Sequence, residues 1–461
     1  MYEIQFDSPC HIHLIGIGGI SMSGLAEVLL KAGFRISGSD VKESELTRKL
    51  TAKGAIIYYQ QVPENLKVRP DVIVYTAAIH PDNPEYAKAA ELGIPMLSRA
   101  ELLGQMMRNY RTPVAVAGTH GKTTTTSMLA HIFLEADLDP TISVGGILPA
   151  IGGNVRVGGE ALFLMEACEY TNSFLSFFPK VGIILNVDAD HLDFFKDIDD
   201  IRASFRKFAQ RIPKDGCLIL NADTPSYERI AEGLDAKVLT YSTDPARSAD
   251  YTIRDMAFDE QGRASFTAVR GGKELGSFRL QVPGEHNVSN ALAAIACADH
   301  LQIDPEKTAE GLASFTGTDR RFQYKGNIGG VTVIDDYAHH PTEITATLKA
   351  AAAYPHKTLW CVFQPHTYTR TKALMPEFAD ALTLADKVIL AEIYPARETD
   401  DLGISSSDLA QEILDRGTEA VCFPTFDEIE TYILKNCAAG DLLITMGAGD
   451  VVKIGEALLG L

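Results

Sequence analysis

The chain has 461 residues, of which 46% are hydrophobic and 22% charged, and its formal net charge is −19. A chain of this length is too long to fold around a single hydrophobic core, so we expect two to four domains. An acidic chain without a basic stripe is a poor partner for nucleic acid, and no apolar run approaches the roughly 18 residues of a membrane span. The N-terminus lacks the layout of a signal peptide, so we expect a cytoplasmic protein without membrane insertion.

The first block of the chain alternates apolar strands with helical segments. "HIHLIGIGG", "ISMSGLAEVLLKAG" and "FRISGSD" predict a strand with a glycine loop, a helix and a second strand. "DVIVYTAAI", "PEYAKAAELG", "IPMLS" and "AELLGQMMR" continue the rhythm. Such alternation is typical of a parallel sheet with helices on its faces. We expect this first, Rossmann-like domain to cover residues 1–109.

A second block starts with the strand "TPVAVAG" and the helical "TTTTSMLAHIFLEADL". The runs "ALFLME", "VGIILN" and "GCLIL" are candidates for buried strands. Between residues 250 and 283 the segments alternate around glycine turns, which predicts a small antiparallel patch beside a mainly parallel sheet. The helical "HNVSNALAAIACADHL" follows. We expect this central domain to cover residues 110–318.

The third block returns to strands that are each followed by an amphipathic helix. Its strand candidates are "VTVIDD", "TLWCVF", "DKVILAEI", "AVCFP" and "DLLITM". We expect a second Rossmann-like domain over residues 319–461, and therefore an α/β protein of three domains.

Cysteine usage gives no sign of a disulfide framework or a structural zinc site. The seven cysteines are scattered singly and their number is odd. Four of them lie in or beside apolar runs and are expected to be small buried hydrophobes: Cys168, Cys217, Cys297 and Cys361.

The stretch "GTHGKTTT" at 118–125 has the Gly-Lys-Thr core of a phosphate-binding loop, although Val116 stands where the general pattern has its first glycine. It follows a strand and opens a helix, so backbone N–H groups and a helix N-terminus would point at phosphate oxygens. Lys122 would reach the β- and γ-phosphates and the Thr123 hydroxyl would coordinate Mg²⁺. This predicts a P-loop ATPase-like central domain; the alternative is a glycine-rich turn without a ligand.

Two further motifs place polar side chains at the carboxyl ends of apolar strands. "ALFLMEACE" ends on Glu166, and "NVDADHLDFF" presents Asp190 and His191. Alone, each is more often a solvated carboxylate or a hydrogen-bonded buried ring. Together with the loop they favour a functional edge of the sheet, where the Glu166 carboxylate can hold a metal ion beside the loop.

The first domain contains "GIGGISMSG", followed by Asp40 at the end of the next strand. This resembles a dinucleotide-binding fingerprint, but Ser21 occupies its third glycine position. A nicotinamide-dependent oxidoreductase is therefore an alternative that rests on this loop alone.

The ordered motifs of the chain resemble those of the Mur ligase family, which builds the peptide stem of bacterial peptidoglycan, and the short phosphate loop is the usual form in that family. The motifs that carry the resemblance cover nearly the whole chain: 16–24, 118–125, "EACEYTNSFL" at 166–175, "NVDADHLDFF" at 186–195, "PGEHNVSNALAA" at 283–294, "GTDRRFQ" at 317–323, "DDYAHHPTEI" at 335–344, "QPHTYTRTK" at 364–372 and "TMGAGD" at 445–450.

The resemblance implies an ATP-driven amide synthesis with ATP and Mg²⁺. The lactyl carboxylate of UDP-N-acetylmuramate would attack the γ-phosphate to give an acyl phosphate, from which the amine of L-alanine displaces phosphate. A carboxylate is a poor acyl donor, so phosphorylation supplies the leaving group. The chain is expected to be a monomer or a weak homodimer. The implied catalytic residues are Lys122, Glu166, His191 and Arg370, and the implied Mg²⁺ ligands are Thr123, Glu166 and His191.

The resemblance also implies three sets of binding residues, one for each substrate. ATP would be bound by Gly118, Thr119, His120, Gly121, Lys122, Thr123, Thr124, His286, Asn287, Arg320, Arg321 and Asp336, with Asp335 as the alternative to Asp336. The UDP-sugar would be bound by Gly16, Gly18, Gly19, Asp40, Ala77 and His80. The amino acid would be bound by Tyr337, His339, His366 and Arg370.

Several of these assignments have plainer alternatives. His286 and Asn287 could be an ordinary polar pair at a helix N-terminus, and Arg320 and Arg321 a solvated linker. "GAGD" at 447–450 is interpreted as a tight turn rather than a further phosphate loop. Thr367 occupies a position where some family members carry a second arginine, which leaves the detail of the amino-acid clamp open.

Two other functions stay open besides the oxidoreductase. One is a sister ligase that attaches a recycled tripeptide to the same sugar nucleotide. The other is a nucleotide-dependent switch that binds ATP without amide synthesis. A switch of this kind would not explain the first domain or the motif "QPHTYTR".

Overall fold

The computed structural model describes residues 2–76, 78–192, 194–396, 398–399 and 401–461. The chain forms two compact units, one of residues 1–186 with 202–240 and the other of residues 187–201 with 241–461. No helix in the described part of the chain combines the length and the apolar character that a bilayer crossing requires.

The N-terminal part of the first unit is a small α/β layer. Its elements are β1 (His11–Ile15), α1 (Ile20–Lys31), β2 (Arg35–Ser39), α2 (Glu45–Ala52), β3 (Ile56–Tyr58), β4 (Val72–Tyr75), α3 (Pro84–Glu91), β5 (Met96–Ser98) and α4 (Arg99–Met107). The strands are parallel in the order β3-β2-β1-β4-β5. Because β2 and β4 flank β1, the sheet order reverses beside the loop that follows β1, which is where such sheets bind ligands.

Capping explains where two of these helices begin. The Ser44 hydroxyl accepts from Thr47 N at 3.2 Å, while Thr47 Oγ1 accepts from Ser44 N at 2.8 Å. Ser98 and Glu101 form the same reciprocal arrangement at the start of α4. Each box satisfies two helix-terminal N–H groups that would otherwise lack partners.

The next elements along the chain are β6 (Thr112–Ala117), α5 (Lys122–Glu135), β7 (Thr141–Leu148), β8 (Gly153–Arg156), β9 (Leu162–Ala167), β10 (Val181–Ile184), α6 (Ile198–Ala209), β11 (Cys217–Asn221), α7 (Tyr227–Ala231) and β12 (Lys237–Tyr241). Within the first unit the strand order is β11-β10-β6-β9-β7-β8, and β8 alone of these six runs antiparallel to its neighbour. The sheet is built around β6, whose residues 114–117 are fully buried.

The second unit begins with an antiparallel sheet and two helices. These are β13 (Tyr251–Phe258), β14 (Arg263–Arg270), β15 (Lys273–Pro283), α8 (Glu285–His300) and α9 (Pro305–Ser314). The pairing of β13 with β14 and of β14 with β15 confirms the antiparallel patch predicted for residues 250–283.

The remainder of the second unit is a six-stranded sheet with helices. Its elements are β16 (Gln323–Ile328), β17 (Val331–Asp336), α10 (Pro341–Ala352), β18 (Leu359–Phe363), α11 (Tyr368–Ala373), α12 (Met375–Leu382), β19 (Lys387–Leu390), α13 (Ser406–Asp415), β20 (Glu419–Cys422), α14 (Phe426–Asn436), β21 (Leu442–Met446) and α15 (Val452–Leu459). The order is β16-β17-β21-β18-β19-β20, in which β16 is antiparallel to β17.

This sheet has a hydrophobic core on each face. Cys361 and Phe363 of β18 belong to one core, whereas Trp360 and Val362 belong to the other. Successive side chains of a strand point to opposite faces, so helices cover both sides of the sheet. The carboxyl ends of β17, β18 and β21 are thereby the accessible edge where polar side chains collect.

Candidate functional site

The loop between β6 and α5 has the backbone of a phosphate-binding loop. Gly118 has φ 146° and Gly121, the N-cap of α5, has φ 81°. A Cβ on Gly118 would lie 2.9 Å from Leu185 Cβ, so a side chain is excluded there by contact as well as by conformation. The first turn of α5 then presents Lys122, which lies half-buried, and the buried Thr123.

Lys122 is held inside the loop by three acceptors. Its Nζ donates to Gly118 O at 2.5 Å, to Thr119 O at 3.0 Å and to Glu169 Oε2 at 2.9 Å. The Lys122 side chain is 16% exposed and that of Glu169 is 2% exposed. Burial alone would lower the pKa of Lys122, but the negative charge of Glu169 holds that pKa above its usual value. Lys122 is therefore a cation at neutral pH.

Asn186, which the sequence reasoning did not single out, fixes the middle of the loop. Its Oδ1 accepts from His120 N at 2.8 Å and its Nδ2 donates to His120 O at 3.1 Å. Its own carbonyl accepts from Thr119 N at 3.2 Å. Asn186 lies two residues after the end of β10 and is the first residue of "NVDADHLDFF", and these were the sequence signals that could have found it.

Glu166 lies on β9, one strand away from the loop. Its Oε1 accepts from Gly145 N at 2.6 Å. A Cβ on Gly145 would lie 2.6 Å from Glu166 Oε2, so the carboxylate occupies the space that a side chain of β7 would fill. With the hydroxyl of Thr123 in the same unit, hard oxygen ligands suited to Mg²⁺ are present. His191 belongs to the second unit, so a metal site shared by all three residues stays a prediction.

One expectation for this region is wrong. Cys168 is exposed, because β9 ends at Ala167 and the chain turns into a short 3-10 segment from Tyr170. The other cysteines expected to be buried, Cys217, Cys297 and Cys361, are buried.

The glycine loop after β1 is closed by Asp40. The N–H of Gly18 donates to Asp40 Oδ2 at 2.7 Å, and a Cβ on Gly18 would lie 2.7 Å from that same oxygen. Gly16 has φ 83°, and Gly19 is the N-cap of α1. His80 is exposed after β4. Ala77, predicted to contact the same ligand, lies outside the described residues.

The predicted nucleotide arginine Arg320 is engaged within the second unit. Its Nε donates to Asp335 Oδ2 at 3.2 Å, its Nη1 to Gly449 O at 3.0 Å and its Nη2 to Gly447 O at 2.7 Å. "GAGD" thus presents carbonyls to a guanidinium. In this arrangement Arg320 joins the start of β16, the end of β17 and the loop after β21.

Both carboxylate oxygens of Asp336 also accept hydrogen bonds from within the second unit. Its Oδ1 accepts from Ala338 N at 2.8 Å and its Oδ2 from Phe322 N at 2.7 Å. Burial raises the pKa of Asp336 to about 6, although Arg321 acts against that rise. The adjacent Asp335 is fully buried, and burial raises its pKa as well.

Four side chains form a cluster beside the end of β17: Arg321, Tyr337, His339 and Glu343. The Arg321 guanidinium carbon lies 5.2 Å from the centre of the Tyr337 ring, and Arg321 Nη1 lies 3.8 Å from Glu343 Oε1. His339 Nδ1 is 3.0 Å from Tyr337 O and 3.3 Å from Glu343 Oε2. Burial lowers the pKa of His339 to about 4 against the opposing charge of Glu343, so the ring is neutral at neutral pH.

A cleft of about 460 Å³ opens at the N-terminus of α8 and reaches along α10. His286 and Ser289 from α8 and Lys349 from α10 line it, together with Phe258. Desolvation lowers the pKa of His286, which makes the ring neutral. Asn287 is buried instead, and its amide donates to Pro283 O at 2.7 Å. The two residues predicted to contact the adenine therefore have different surroundings.

Arg370 on α11 forms a buried ion pair with Asp190. Its Nε and Nη2 both donate to Asp190 Oδ1 at 3.0 Å, and its Nη1 donates to His366 O at 2.7 Å. Burial would raise the pKa of Asp190, but the charge of Arg370 holds that pKa well below its usual range. His366 stacks on Tyr394, with the ring centres 5.6 Å apart. The structure thus brings Arg370, His366 and Asp190 together.

Thr367, the neighbour of His366 in the chain, pairs with a carboxylate. Its Oγ1 donates to Glu398 Oε1 at 2.7 Å, and Thr369 N donates to Glu398 Oε2 at 3.0 Å. This second carboxylate beside the clamp was not anticipated from the sequence.

Family models match three consecutive parts of the chain. They are the Mur ligase family catalytic domain over residues 11–111, the Mur ligase middle domain over 116–298, and the Mur ligase glutamate ligase domain over 320–449. The chain therefore belongs to the Mur ligase family. The α/β fold with three domains and the resemblance found in the sequence are both confirmed.

Several individual Mur ligases are similar to this chain over nearly their full length. The chain is 59% identical to UDP-N-acetylmuramate--L-alanine ligase of Lachnospira eligens and 58% identical to that of Agathobacter rectalis, with 100% of each chain covered in both cases. The structure of the UDP-N-acetylmuramate-alanine ligase of Thermotoga maritima matches with a TM-score of 0.79 at 30% identity, covering 98% of each chain. A murein peptide ligase of Psychrobacter arcticus matches with a TM-score of 0.69 at 26% identity and 98% coverage of each.

Proposed function

We propose that this chain is an ATP-dependent ligase that joins L-alanine to the lactyl carboxylate of UDP-N-acetylmuramate in peptidoglycan precursor synthesis. The observation that carries the proposal is full-length similarity, at 59% and 58% identity, to proteins named for that reaction. The phosphate loop with its charged lysine supports it independently of those names.

The reaction couples ATP cleavage to amide formation in two displacements. A lactyl carboxylate oxygen attacks the γ-phosphorus, the bond from that phosphorus to the bridging oxygen breaks, and ADP leaves with an acyl phosphate formed. The amine nitrogen of L-alanine then attacks the acyl carbon, the carbon–oxygen bond to phosphate breaks, and the amine loses a proton. Phosphate is a far better leaving group than the oxide of a free carboxylate.

Lys122 supplies the fixed positive charge for the first displacement. Its ammonium now donates to the carbonyls of Gly118 and Thr119, and these contacts are exchanged for phosphate oxygens when the triphosphate enters the loop. Glu169 keeps the ammonium protonated throughout. The N–H groups at the start of α5 add further donors toward the phosphates.

Thr123, Glu166 and His191 are the residues proposed to hold Mg²⁺. When bound, the ion would offset the negative charge of the phosphate oxygens toward which the lactyl carboxylate must move. The Glu166 carboxylate fits that role, because it accepts a hydrogen bond from the Gly145 N–H and lies where a side chain at position 145 would be.

Arg370 is proposed to bind the carboxylate of L-alanine, with His366, His339 and Tyr337 around it. A guanidinium suits this task because it stays charged and forms charge-assisted hydrogen bonds with a carboxylate. Burial lowers the pKa of both His339 and His366, so neither ring adds a positive charge that would repel the substrate ammonium.

The loop closed by Asp40 is proposed to bind the UDP moiety, with glycine N–H groups at the diphosphate. We also propose that the chain acts in the cytoplasm, as a monomer or a weak homodimer. Sedimentation at several concentrations would test the oligomeric state.

The second candidate is a ligase that attaches a tripeptide to the same sugar nucleotide. Structures of a murein peptide ligase and of a UDP-N-acetylmuramate:L-alanyl-gamma-D-glutamyl-meso-diaminopimelate ligase match at 26% and 28% identity. ADP release should be measured with UDP-N-acetylmuramate and, in turn, L-alanine, a panel of other amino acids and the tripeptide. Turnover with L-alanine is expected. Turnover with the tripeptide alone would establish the second candidate instead.

A further inference from the structure

We propose that Asp190 is a positioning residue of the amino-acid site, which orients the guanidinium of Arg370 toward the substrate carboxylate. The inference rests on the proposed function, because it takes Arg370 as the residue that contacts L-alanine.

One carboxylate oxygen of Asp190 collects three donors. Asp190 Oδ1 accepts from Arg370 Nε and Nη2, each at 3.0 Å, and from the N–H of His191 at 2.7 Å. The side chains of Asp190 and Arg370 are 7% and 12% exposed. Charge-assisted hydrogen bonds of this kind are strong where water is excluded. The pair therefore differs from the exposed ion pairs of the surface, which contribute little.

The geometry fixes which edge of the guanidinium remains for a ligand. Arg370 directs Nε–H and one Nη2 hydrogen at Asp190, while Nη1 lies 2.7 Å from His366 O and 3.2 Å from His366 Nδ1. An arginine has five N–H donors in one plane. The second hydrogen of Nη2 has no partner among the residues that the structure describes. An incoming carboxylate is thus received at the Nη2 corner.

The loop that carries Asp190 is itself held in place. His340, the N-cap of α10, accepts from Thr342 N at 3.3 Å through Nδ1, so the ring proton lies on Nε2. His340 Nε2 then donates to Ala189 O at 3.2 Å. Two adjacent loop residues, Ala189 and Asp190, are therefore fastened to α10 and α11. The position of the loop determines where the Arg370 guanidinium points.

A purely structural ion pair would behave differently from a positioning residue. Loss of a structural pair would weaken folding and reduce activity toward every substrate alike. Loss of a positioning carboxylate should act on the recognition of the amino-acid carboxylate and spare the other two substrates.

The test uses the full chain with Asp190→Asn, Arg370→Lys and, as a matched control, Asp380→Asn, which removes the exposed carboxylate paired with Arg416. KM and kcat are measured for L-alanine, ATP and UDP-N-acetylmuramate, and L-alaninamide is tested as a nucleophile without a carboxylate. Asp190→Asn should raise KM for L-alanine by about 10-fold or more, the effect of one lost charge-assisted hydrogen bond. The preference for L-alanine over L-alaninamide should fall by a similar factor.

The controls separate this inference from the proposed function. Asp190→Asn should change KM for ATP and for the sugar nucleotide less than about 2-fold, and Asp380→Asn should change none of the three. Asp190→Glu, which keeps the charge but shifts the oxygens by one methylene, should recover part of the affinity. It also carries the test if Asp190→Asn does not fold, and an unchanged preference for L-alanine over L-alaninamide in that variant overturns the inference.

A folded Asp190→Asn variant with unchanged alanine KM and unchanged preference, beside an impaired Arg370→Lys variant, overturns the role of Asp190. If Arg370→Lys is also unimpaired, the assignment of Arg370 as the substrate contact fails and the inference fails with it. Absence of ADP release by the unmodified chain with L-alanine would instead remove the proposed function.

Discussion

Glu169 Oε2 lies 2.9 Å from Nζ of Lys122, and the Glu169 side chain is only 2% exposed. The cation of the phosphate loop is thus paired with a buried carboxylate. The pair sets the charge of Lys122, and two of the predictions below concern it directly.

Replacing Lys122 with alanine should remove several kcal/mol of transition-state stabilisation, a loss of about 10³-fold or more in rate. The reason is that the substitution removes the ammonium that the loop itself holds beside its backbone carbonyls. The measurement is kcat for ADP release by a variant whose melting temperature shows that it is folded. Lys180→Ala, which removes a partly exposed lysine paired with Asp215, should leave the rate nearly unchanged. Near-normal turnover of the Lys122 variant would contradict the assignment of the loop.

Replacing Glu169 with glutamine should make activity sensitive to alkaline pH. In the unmodified chain the pKa of Lys122 is raised, so the ammonium persists up to and beyond its usual value of 10.5. Without the Glu169 charge, desolvation lowers that pKa against the remaining charge of Glu166, and activity should decline at a lower alkaline pH than in the unmodified chain. The stabilising effect of the pair is present below the unfolded pKa and is lost only as pH rises through the raised folded value. Superimposable pH–rate profiles of the two proteins would show that Glu169 does not set the charge of Lys122.

Replacing Gly145 with alanine should weaken the use of Mg²⁺. The new Cβ would lie 2.6 Å from Glu166 Oε2 and 2.9 Å from Oε1, so the carboxylate must move away from its present position. The Mg²⁺ concentration for half-maximal ADP release should rise by about 10-fold, as is usual when the support of a metal ligand is lost.

The matched control for that substitution is Gly153→Ala. Gly153 lies on the neighbouring β8 and has open space around its Cβ position. This variant should keep the Mg²⁺ dependence of the unmodified chain. An unchanged dependence in Gly145→Ala as well would argue against Glu166 as a ligand.

Replacing Asp40 with alanine should affect the sugar nucleotide alone. The substitution removes the acceptor of the Gly18 N–H and loosens the loop proposed to receive the diphosphate. KM for UDP-N-acetylmuramate should rise by about 10-fold, as for a lost hydrogen bond to a charged group, while KM for ATP stays the same. An equal rise in both KM values would indicate a general loss of structure rather than a ligand contact.

The sequence predicted the elements whose pattern is local. Apolar β-branched runs such as residues 114–117 and 181–184 are strands because both faces of a central parallel strand are buried. Five strands were not predicted: β3, β7, β8, β12 and β16. β7 contains the Gly145–Gly146 pair, which reads as a turn, and β16 is a polar edge strand interrupted by Gly326 at φ 157°. Edge strands with little buried surface have no apolar pattern to detect.

In the candidate site, too, the residues with a local sequence pattern were predicted and their distant partners were not. The motif around Lys122 could be recognised because its glycines and helix start are adjacent in sequence. Its partner Glu169 is 47 residues away, and the pair of Asp190 with Arg370 joins residues 180 positions apart. Such contacts depend on how the strands are ordered in the sheet, which spacing does not reveal. The loop contacts of Asn186 escaped notice for that reason.

The contact between Thr367 and Glu398 has a consequence for inhibitor chemistry. A dianionic compound designed to bridge two guanidinium groups would place its second acidic group beside these two residues. In this chain the same compound would meet a hydroxyl and a carboxylate at the second position, and like charges would repel. Compounds with a single acidic group and a hydrogen-bond donor directed at Glu398 are therefore the better starting point for selectivity.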